Sequence, residues 1–420
     1  MKLQRTGLWQ HPDFIRLWAG QTISAFGSQI GGTALTFTAI LTLHATPLQL
    51  GWLETARALP VLLIGLLAGV WVDRLRRRPV LIVADIGRAL LLTTIPIAAL
   101  LGVLSMAQLY GVAALVGALA LFFDVAYPSY LPSLVKPDEL VEGNSKLSMT
   151  SAVAEIGGPG LGGALVQLIT PPFAILFDAC SFLFSALSLG LIRGREPAPI
   201  RHTSTDAERP TGIIHEITEG VRVTLKDPIL RALLGCAATS SLTSGIIGTL
   251  YALYIVQELG LSPLWMGIVI GVGGVSALIG AFLAAPVTRR VGIGPAMIGA
   301  RLVAMAVSSL MVLAWGPPQV ILPLLLLSQA ADATWSIYGI NETSLRQAIT
   351  PHHLLGRVNA SERFLTGIIF PVGALLGGLL GQTIGLRAAI TIGLLIGALA
   401  TLWLIFSPVY KLKQIESTIN

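Results

Sequence analysis

The sequence has few charged residues. Only 11% of its 420 residues are Asp, Glu, Lys or Arg, whereas a soluble domain carries about 25%, and this scarcity excludes an ordinary soluble enzyme. The chain has two cysteines, Cys180 and Cys236, and both lie in apolar runs, which argues against a disulfide framework. The apolar fraction of 54% and the mean hydropathy of +0.79 indicate a polytopic membrane protein.

Several chemical signatures are also missing. There is no Gly-x-x-x-x-Gly-Lys-Ser/Thr loop, which argues against ATP-driven transport by this chain, and no His-Glu-x-x-His or Cys-x-x-Cys pair. His352-His353 alone is a weak metal signal, and no nucleophile and base stand together at membrane depth. Basic residues exceed acidic ones, 27 to 21, but they cluster at the ends of apolar runs. We therefore expect no enzyme, no metal site, no cofactor and no nucleic-acid partner.

Twelve apolar runs are long enough to cross a bilayer, which takes about 20 residues in a helix. The predicted fold is an all-α polytopic membrane protein of twelve transmembrane helices. The spans are Leu17–Leu43, Leu50–Val72, Val80–Leu101, Leu109–Pro128, Leu147–Ile169, Phe173–Leu191, Leu230–Val256, Trp265–Ala285, Ala296–Trp315, Val320–Ile340, Leu365–Ile384 and Ala388–Pro408.

Basic residues predict the orientation of these spans. Of the 27 Lys and Arg residues, 23 lie on one side, Arg387 alone lies on the other, and three fall inside spans. Because cytoplasmic loops carry the excess of Lys and Arg, both termini are predicted to be cytoplasmic. We expect an integral protein of the bacterial inner or plasma membrane, surrounded by lipid and monomeric.

A polar stretch divides the spans into six and six. The predicted domains are an N-terminal half (1–192), a cytoplasmic linker (193–229) and a C-terminal half (230–420). Within the linker, the apolar spacing of residues 213–225 is typical of an amphipathic helix on the cytoplasmic leaflet or of a soluble linker helix. The halves share a sequence trace: Leu131–Leu140 and Leu345–Leu354 match at an offset of 214 residues. Two parallel halves related by an axis along the membrane normal are typical of one transporter architecture.

The loop after the second span carries a recognisable motif. Gly69-Val-Trp-Val-Asp73-Arg74-Leu-Arg-Arg77-Arg78 resembles the Gly-x-x-x-Asp-Arg-x-Gly-Arg-Arg loop of the major facilitator superfamily, with Arg76 in place of a glycine. The resemblance implies a cytoplasmic latch that favours one access state; the alternative is a simple positive-inside anchor. The predicted latch residues are Gly69, Asp73, Arg74, Arg77, Arg78, Asp85 and Arg88.

Other motifs point to one branch of that superfamily. Gly158-Pro159-Gly-Leu-Gly162-Gly163 is similar to the bending-helix motif of its antiporters, although Ala154 replaces one glycine, and it also suits simple helix packing. Phe14–Gln21 and Gly356–Ala360 look like the macrolide-efflux and siderophore-exporter-like branch. The arginine motif of span 4 that many proton-coupled drug exporters carry is missing, since no Arg occurs between Arg88 and Arg193.

Ionisable residues inside the membrane are functional candidates because each costs about 2.5 to 3.5 kcal/mol to insert. Glu155, Asp332 and Asp178 are the candidates for binding protons or a substrate cation; the alternative is a carboxylate hydrogen-bonded to neighbouring helices. Glu54 and Arg57, one turn apart, predict an outer gate pair. Asp85 and Arg88 repeat that spacing and are assigned to the latch in preference to a substrate site.

Polar and aromatic residues complete the predicted site. The polar candidates for lining a cavity are Gln21, Ser24, Ser28, Thr239, Ser240 and Thr243. Trp335 and Tyr338 share a helical face near Asp332, where they either line a cavity or pack against lipid.

The sequence leads to three functional hypotheses. The first is a proton-coupled secondary exporter of amphiphilic small molecules (a drug, macrolide or siderophore-like cargo) that works by rocker-switch alternating access. The second is an importer or facilitator of a small nutrient in the same fold. The third is a non-transporting membrane protein such as a scramblase or an assembly scaffold.

Overall fold

The structure is a computed structural model, and it describes residues 7–194 and 213–413. All regular secondary structure in these residues is helical. The α-helices are α1 (Pro12–Phe37), α2 (Pro47–Asp73), α3 (Arg77–Leu100), α4 (Met106–Tyr130), α5 (Leu140–Ile169), α6 (Pro171–Gly190), α7 (Ile213–Lys226), α8 (Pro228–Leu253), α9 (Pro263–Val291), α10 (Ile293–Ser308), α11 (Leu310–Leu313), α12 (Pro318–Ser328), α13 (Ala331–Ile349), α14 (Leu355–Ile384) and α15 (Leu386–Ile405).

Ten helical segments of the described residues are long and apolar enough to cross a membrane. They overlap the third to twelfth predicted spans. The first two predicted spans are also helical, as α1 and α2, but they are not among the ten. In α1, polar residues such as Gln21 and Gln29 lower the hydropathy. The prediction of an all-helical membrane protein is confirmed, while the number of twelve spans stays a prediction.

The surface of these helices carries large apolar side chains. Leu168 is 78% exposed, Phe282 is 81% exposed and Phe406 is 83% exposed. Many exposed large apolar side chains are unusual on a soluble monomer and suit a lipid environment. Together with the ten candidate spans, it makes the chain an integral membrane protein.

Local sequence explains where several helices begin and end. Asp227 caps α8, because its carboxylate accepts hydrogen bonds from the backbone N–H groups of Ile229 (2.8 Å) and Leu230 (2.9 Å). Gly385 separates α14 from α15 with a φ of 90°, a left-handed conformation that glycine adopts without strain.

The chain forms two compact units. Unit A comprises Met1–Ala45, Ala56–Asp206 and Ser262–Gly271, and unit B comprises Thr46–Thr55, Ala207–Leu261 and Val272–Asn420. Two short segments, Thr46–Thr55 and Ser262–Gly271, thus belong to a different unit from their chain neighbours. The predicted boundaries at residues 192 and 230 stay a prediction.

Unit A is organised around α1, which packs against α5 and α6, while α3 packs against α4 and α6. Its core includes Phe14, Leu17, Leu81 and Phe123, each at most 5% exposed. Gly27 and Gly31 of α1 face α6 directly, and this close approach is typical of small residues at interfaces between membrane helices.

Unit B has α8 between α14 and α15, and α10 against α13 and α15. Its core includes Leu233, Met297, Leu345 and Leu404, each at most 2% exposed.

The linker helix α7 packs against α14. An Arg357 guanidinium N–H donates to a Glu219 carboxylate oxygen at 2.5 Å, and Gly220 lies against the Arg357 backbone. The side chains of Ile213, Ile214 and Ile217 and the predicted linker at 196–210 lie outside the described residues. The choice between a leaflet helix and a soluble linker helix therefore stays open.

Candidate functional site

A polar cavity of about 480 Å³ lies within unit A. It is lined by Gln21, Ser24 and Ser28 of α1, by Glu155 of α5 and by Asp124 of α4. The three α1 residues recur at spacings of three and four, which places them along one face of the helix. The structure thus brings together three predicted cavity residues and one predicted coupling residue.

The cavity also contains residues that the sequence analysis missed. Asn144, Ser148 and Ser151 line it from α5. With Glu155 they form a polar row at spacings of four, three and four, which marks one helical face. This periodicity is a sequence signal that could have identified the three residues. Glu155, which is exposed, is the last residue of the row.

Arg88 forms one wall of the cavity. Its Nη2 lies 2.5 Å from Asp85 Oδ1, and its guanidinium carbon lies 4.0 Å from the ring centre of Phe182 and 4.6 Å from that of Phe123. Asp85 is fully buried and Arg88 is 6% exposed. A buried, hydrogen-bonded ion pair that stacks on aromatic rings holds the Arg88 guanidinium in a fixed position at the cavity wall. The assignment of this pair to the latch stays a prediction.

Asp178 does not line this cavity. It is 5% exposed on α6, and its carboxyl group lies against Gly31 of α1. The Ser181 hydroxyl donates to the Asp178 backbone carbonyl at 2.8 Å and lies 3.3 Å from its Oδ1. These contacts match the alternative of a carboxylate hydrogen-bonded within packed helices, and the coupling role of Asp178 stays a prediction.

Asp332 lies at an interruption of the predicted span Val320–Ile340. Helix α12 ends at Ser328, α13 begins at Ala331, and Asp332 occupies the first turn of α13, where the helix dipole favours a negative charge. The half-buried carboxylate lies beside Gly273 of α9. Nearby, the Gln329 amide donates to the Tyr251 hydroxyl at 3.3 Å. Gln329 and Ala330, between the two helices, keep right-handed helical backbone angles, so the chain makes a tight turn there and segment Pro318–Ile349 remains one candidate span.

Arg301 is fully buried at the centre of unit B. It donates to Ser240 Oγ (2.8 Å) and to the Gly397 carbonyl (3.0 Å), and its guanidinium carbon lies 4.4 Å from the Trp335 ring centre and 5.2 Å from that of Tyr338. Tyr338 is 7% exposed, so it does not pack against lipid. The predicted aromatic pair therefore surrounds an arginine.

The predicted polar residues of α8 have hydrogen-bond partners inside unit B. Thr239 Oγ1 accepts from Trp403 Nε1 at 3.2 Å, and Thr243 donates to the Thr239 carbonyl at 3.1 Å. Their role as cavity residues stays a prediction.

The predicted latch is only partly described. Arg74 is exposed, and Arg78 donates to the carbonyls of Leu189 (2.9 Å) and Gly190 (2.6 Å) at the end of α6. The surroundings of Gly69 and the side chain of Asp73 are outside what the structure describes. Arg77 lies in the first turn of α3, and Glu54 and Arg57 lie in α2; their predicted roles are untested.

The predicted bending-helix motif is a site of close helix contact. Gly158 and Gly162 lie against α1, and Gly163 lies against the backbone of Pro263 and Leu264 at the start of α9. Pro159 is buried between them. In α14, Gly377 lies against α8, and Gly378 lies against the backbone of Pro47 and Leu48 at the start of α2. The two glycine-rich helices therefore use their glycines in the same way.

A sequence model described as Major Facilitator Superfamily matches residues 17–361. The chain belongs to this superfamily. Its members and the relatives below are membrane transporters, so this protein is a transporter and not an enzyme.

Two relatives and one solved structure show which proteins this transporter is similar to. It is 28% identical over 382 residues to the multidrug efflux pump Tap of Mycolicibacterium fortuitum, which covers 86% of this chain and 88% of that protein. It is 28% identical over 214 residues to the uncharacterized transporter YfiS of Bacillus subtilis (strain 168), which covers 51% of this chain and 49% of that protein. A bacterial homologue of the iron transporter ferroportin, in an inward-facing state, has a TM-score of 0.75 at 22% identity and covers 95% and 99% of the two chains. That likeness concerns the fold alone.

Proposed function

We propose that this superfamily member is a proton-coupled secondary exporter of amphiphilic small molecules. The observation that carries the proposal is the polar cavity of unit A, in which the exposed residue Glu155 shares the lining with hydroxyl and amide groups of α1 and α5. The likeness to a multidrug efflux pump over 86% of the chain supports export of such cargo.

The cavity is suited to a cargo with both polar and apolar parts. Hydroxyl groups of Ser24 and Ser28 supply hydrogen bonds, while the rings of Phe123 and Tyr127 supply apolar contact. A few polar groups among aromatic side chains orient a ligand without demanding one shape.

Two carboxylates are proposed to carry the protons. Glu155 opens onto the cavity of unit A, and Asp332 lies in the first turn of α13 in unit B. In the proposed rocker-switch cycle, each carboxylate binds a proton when it faces the outside and releases it towards the cytoplasm. Protonation would alternate with cargo binding, because a neutral site holds a cationic cargo less well.

The proposal also includes a membrane topology, an oligomeric state and a role for the arginine-rich loop. Both termini are proposed to be cytoplasmic, the protein to be a monomer in the bacterial inner or plasma membrane, and the arginine-rich loop to act as the cytoplasmic latch.

Proton movement in inside-out vesicles tests the function directly. A panel of macrolides, tetracyclines, dyes and siderophores is added one compound at a time, and lumenal pH is followed. We expect at least one compound to drive protons out of the lumen, and Glu155→Gln and Asp332→Asn each to abolish that flux. Asp138→Asn, which removes an exposed carboxylate outside the cavity, should retain it.

The other outcomes separate the remaining functions. Uptake of a nutrient into intact cells without cargo-driven proton release would replace export by import. Absence of both saturable flux and binding across the panel would favour a non-transporting role. Equal flux in the wild type and both carboxylate variants would refute proton coupling through these residues.

A further inference from the structure

A second cavity lies on unit B. It is a groove of about 520 Å³ between the start of α8 and the end of α15. Its apolar walls include Leu399 and Phe406, which are 57% and 83% exposed, and Trp403 is 47% exposed. Arg231 stands among the lining residues at the beginning of α8.

The aromatic part of this groove is held in place. Trp403 Nε1 donates to Thr239 Oγ1 at 3.2 Å. The Trp403 ring lies over Gly235, where an added Cβ would meet three ring carbons at 2.5 to 2.7 Å. Because α8 has no side chain at this position, the ring rests on the helix backbone. The groove is thus formed by the packing of α8 against α15 before any ligand arrives.

The charge of the groove is positive. Arg231 is exposed, and its Nη1 lies 3.4 Å from the Leu225 carbonyl at the end of α7, which leaves its other N–H groups available. No carboxylate of the described residues forms an ion pair with it. The nearest acid in sequence, Asp227, accepts hydrogen bonds from the backbone of Ile229 and Leu230.

We propose that this groove binds an anionic phospholipid. One acyl chain lies along Leu399, Leu402 and Phe406, and the phosphate accepts hydrogen bonds from Arg231. Both helices belong to segments long and apolar enough to cross a membrane, so the substance beside the groove is lipid.

The groove lining has no acidic side chain, and this favours one class of lipid headgroup. An arginine recognises any phosphate diester, but a zwitterionic headgroup also presents an ammonium group that needs an acceptor. The lining residues include no Asp or Glu. A headgroup with a net negative charge, such as that of phosphatidylglycerol, therefore fits better than phosphatidylethanolamine.

Native mass spectrometry of the full-length protein tests the headgroup preference. The detergent-solubilised protein is titrated with equal amounts of phosphatidylglycerol and phosphatidylethanolamine that carry identical acyl chains. We expect the wild type to bind phosphatidylglycerol preferentially. In Arg231→Gln the ratio of bound phosphatidylglycerol to bound phosphatidylethanolamine should fall about fivefold, because one cation near an anionic lipid surface contributes about 1 kcal/mol. Arg222→Gln removes an exposed charge from α7, outside the groove, and should keep the preference.

A second variant tests the acyl-chain contact. Phe406→Ser should weaken the binding of both lipids and leave their ratio unchanged, and glycerophosphoglycerol without acyl chains should not compete. Circular dichroism confirms that each variant is folded. An unchanged preference in Arg231→Gln, an equal loss in Arg222→Gln, unchanged binding in Phe406→Ser or competition by the free headgroup would each overturn the proposal.

Discussion

Gly31 and Gly32 of α1 are neighbours in sequence, yet they meet different surroundings. A Cβ at Gly31 would collide with the Asp178 carboxyl group, whereas a Cβ at Gly32 has no atom within 4 Å. We expect Gly31→Ala to destabilise the protein by about 1–3 kcal/mol, because the packed α1–α6 interface must shift. Gly32→Ala should equal the wild type or exceed it slightly, since alanine favours a helix.

Thermal unfolding in detergent measures this difference. A lower midpoint for Gly31→Ala alone is the expected result. Equal midpoints for the two variants would mean that α1 and α6 do not pack as closely as the structure has them.

Residue type made some of the candidate site predictable from sequence, because polar and charged side chains are expensive inside a membrane. Glu155, Gln21, Ser24 and Ser28 were identified in this way, and they line one cavity. The contacts between helices were not predictable. For example, the Phe182 ring that lies against the Arg88 guanidinium belongs to α6, whereas Arg88 belongs to α3. A single sequence, read without an alignment, does not show which helix contacts which.

At the scale of elements, α7 is a docked helix. Gly220 lies against the Arg357 backbone and the Ser361 hydroxyl, and an added Cβ would overlap both. We expect Gly220→Ala to release α7 from α14 and to speed hydrogen exchange of its backbone amides by about tenfold, because a free helix of this length is marginal in water. Gly356→Ala, on α14 but with no atom near the added Cβ, is the matched control.

Hydrogen exchange followed by mass spectrometry reports on α7 directly. Slow exchange that Gly220→Ala leaves unchanged would indicate that the bilayer, and not α14, protects this helix. Fast exchange already in the wild type would contradict the docked arrangement.

Helix existence was predictable from apolar run length, but helix interruptions were not. Between Leu324 and Tyr338 the predicted span contains no glycine or proline that would mark an interruption near Gln329. The end of α12 and the start of α13 coincide with a contact from α9. Ser276 Oγ accepts from the Ala333 N–H at 3.2 Å, an interaction between helices that periodicity cannot reveal.

For the whole molecule, the distribution of basic residues predicts which ends of the helices face the cytoplasm. The loop between α2 and α3 carries arginines on both sides of Leu75, whereas the loop between α3 and α4, around Val103, has no Lys or Arg. Leu75 and Val103 are 50% and 65% exposed, so a cysteine at either position is accessible to reagents. The positive-inside rule therefore expects Leu75 in the cytoplasm and Val103 outside.

A membrane-impermeant maleimide decides between the two orientations. In a Cys180→Ser, Cys236→Ala background, Val103→Cys should be labelled in intact cells and Leu75→Cys only in inside-out vesicles. An odd number of spans between Leu75 and either terminus would place that terminus on the side opposite to Leu75, so a tag at each terminus is probed in the same membranes. Labelling of Leu75→Cys in intact cells would show that the topology is the reverse of the predicted one. It would also contradict the direction of transport proposed for the cavity of unit A.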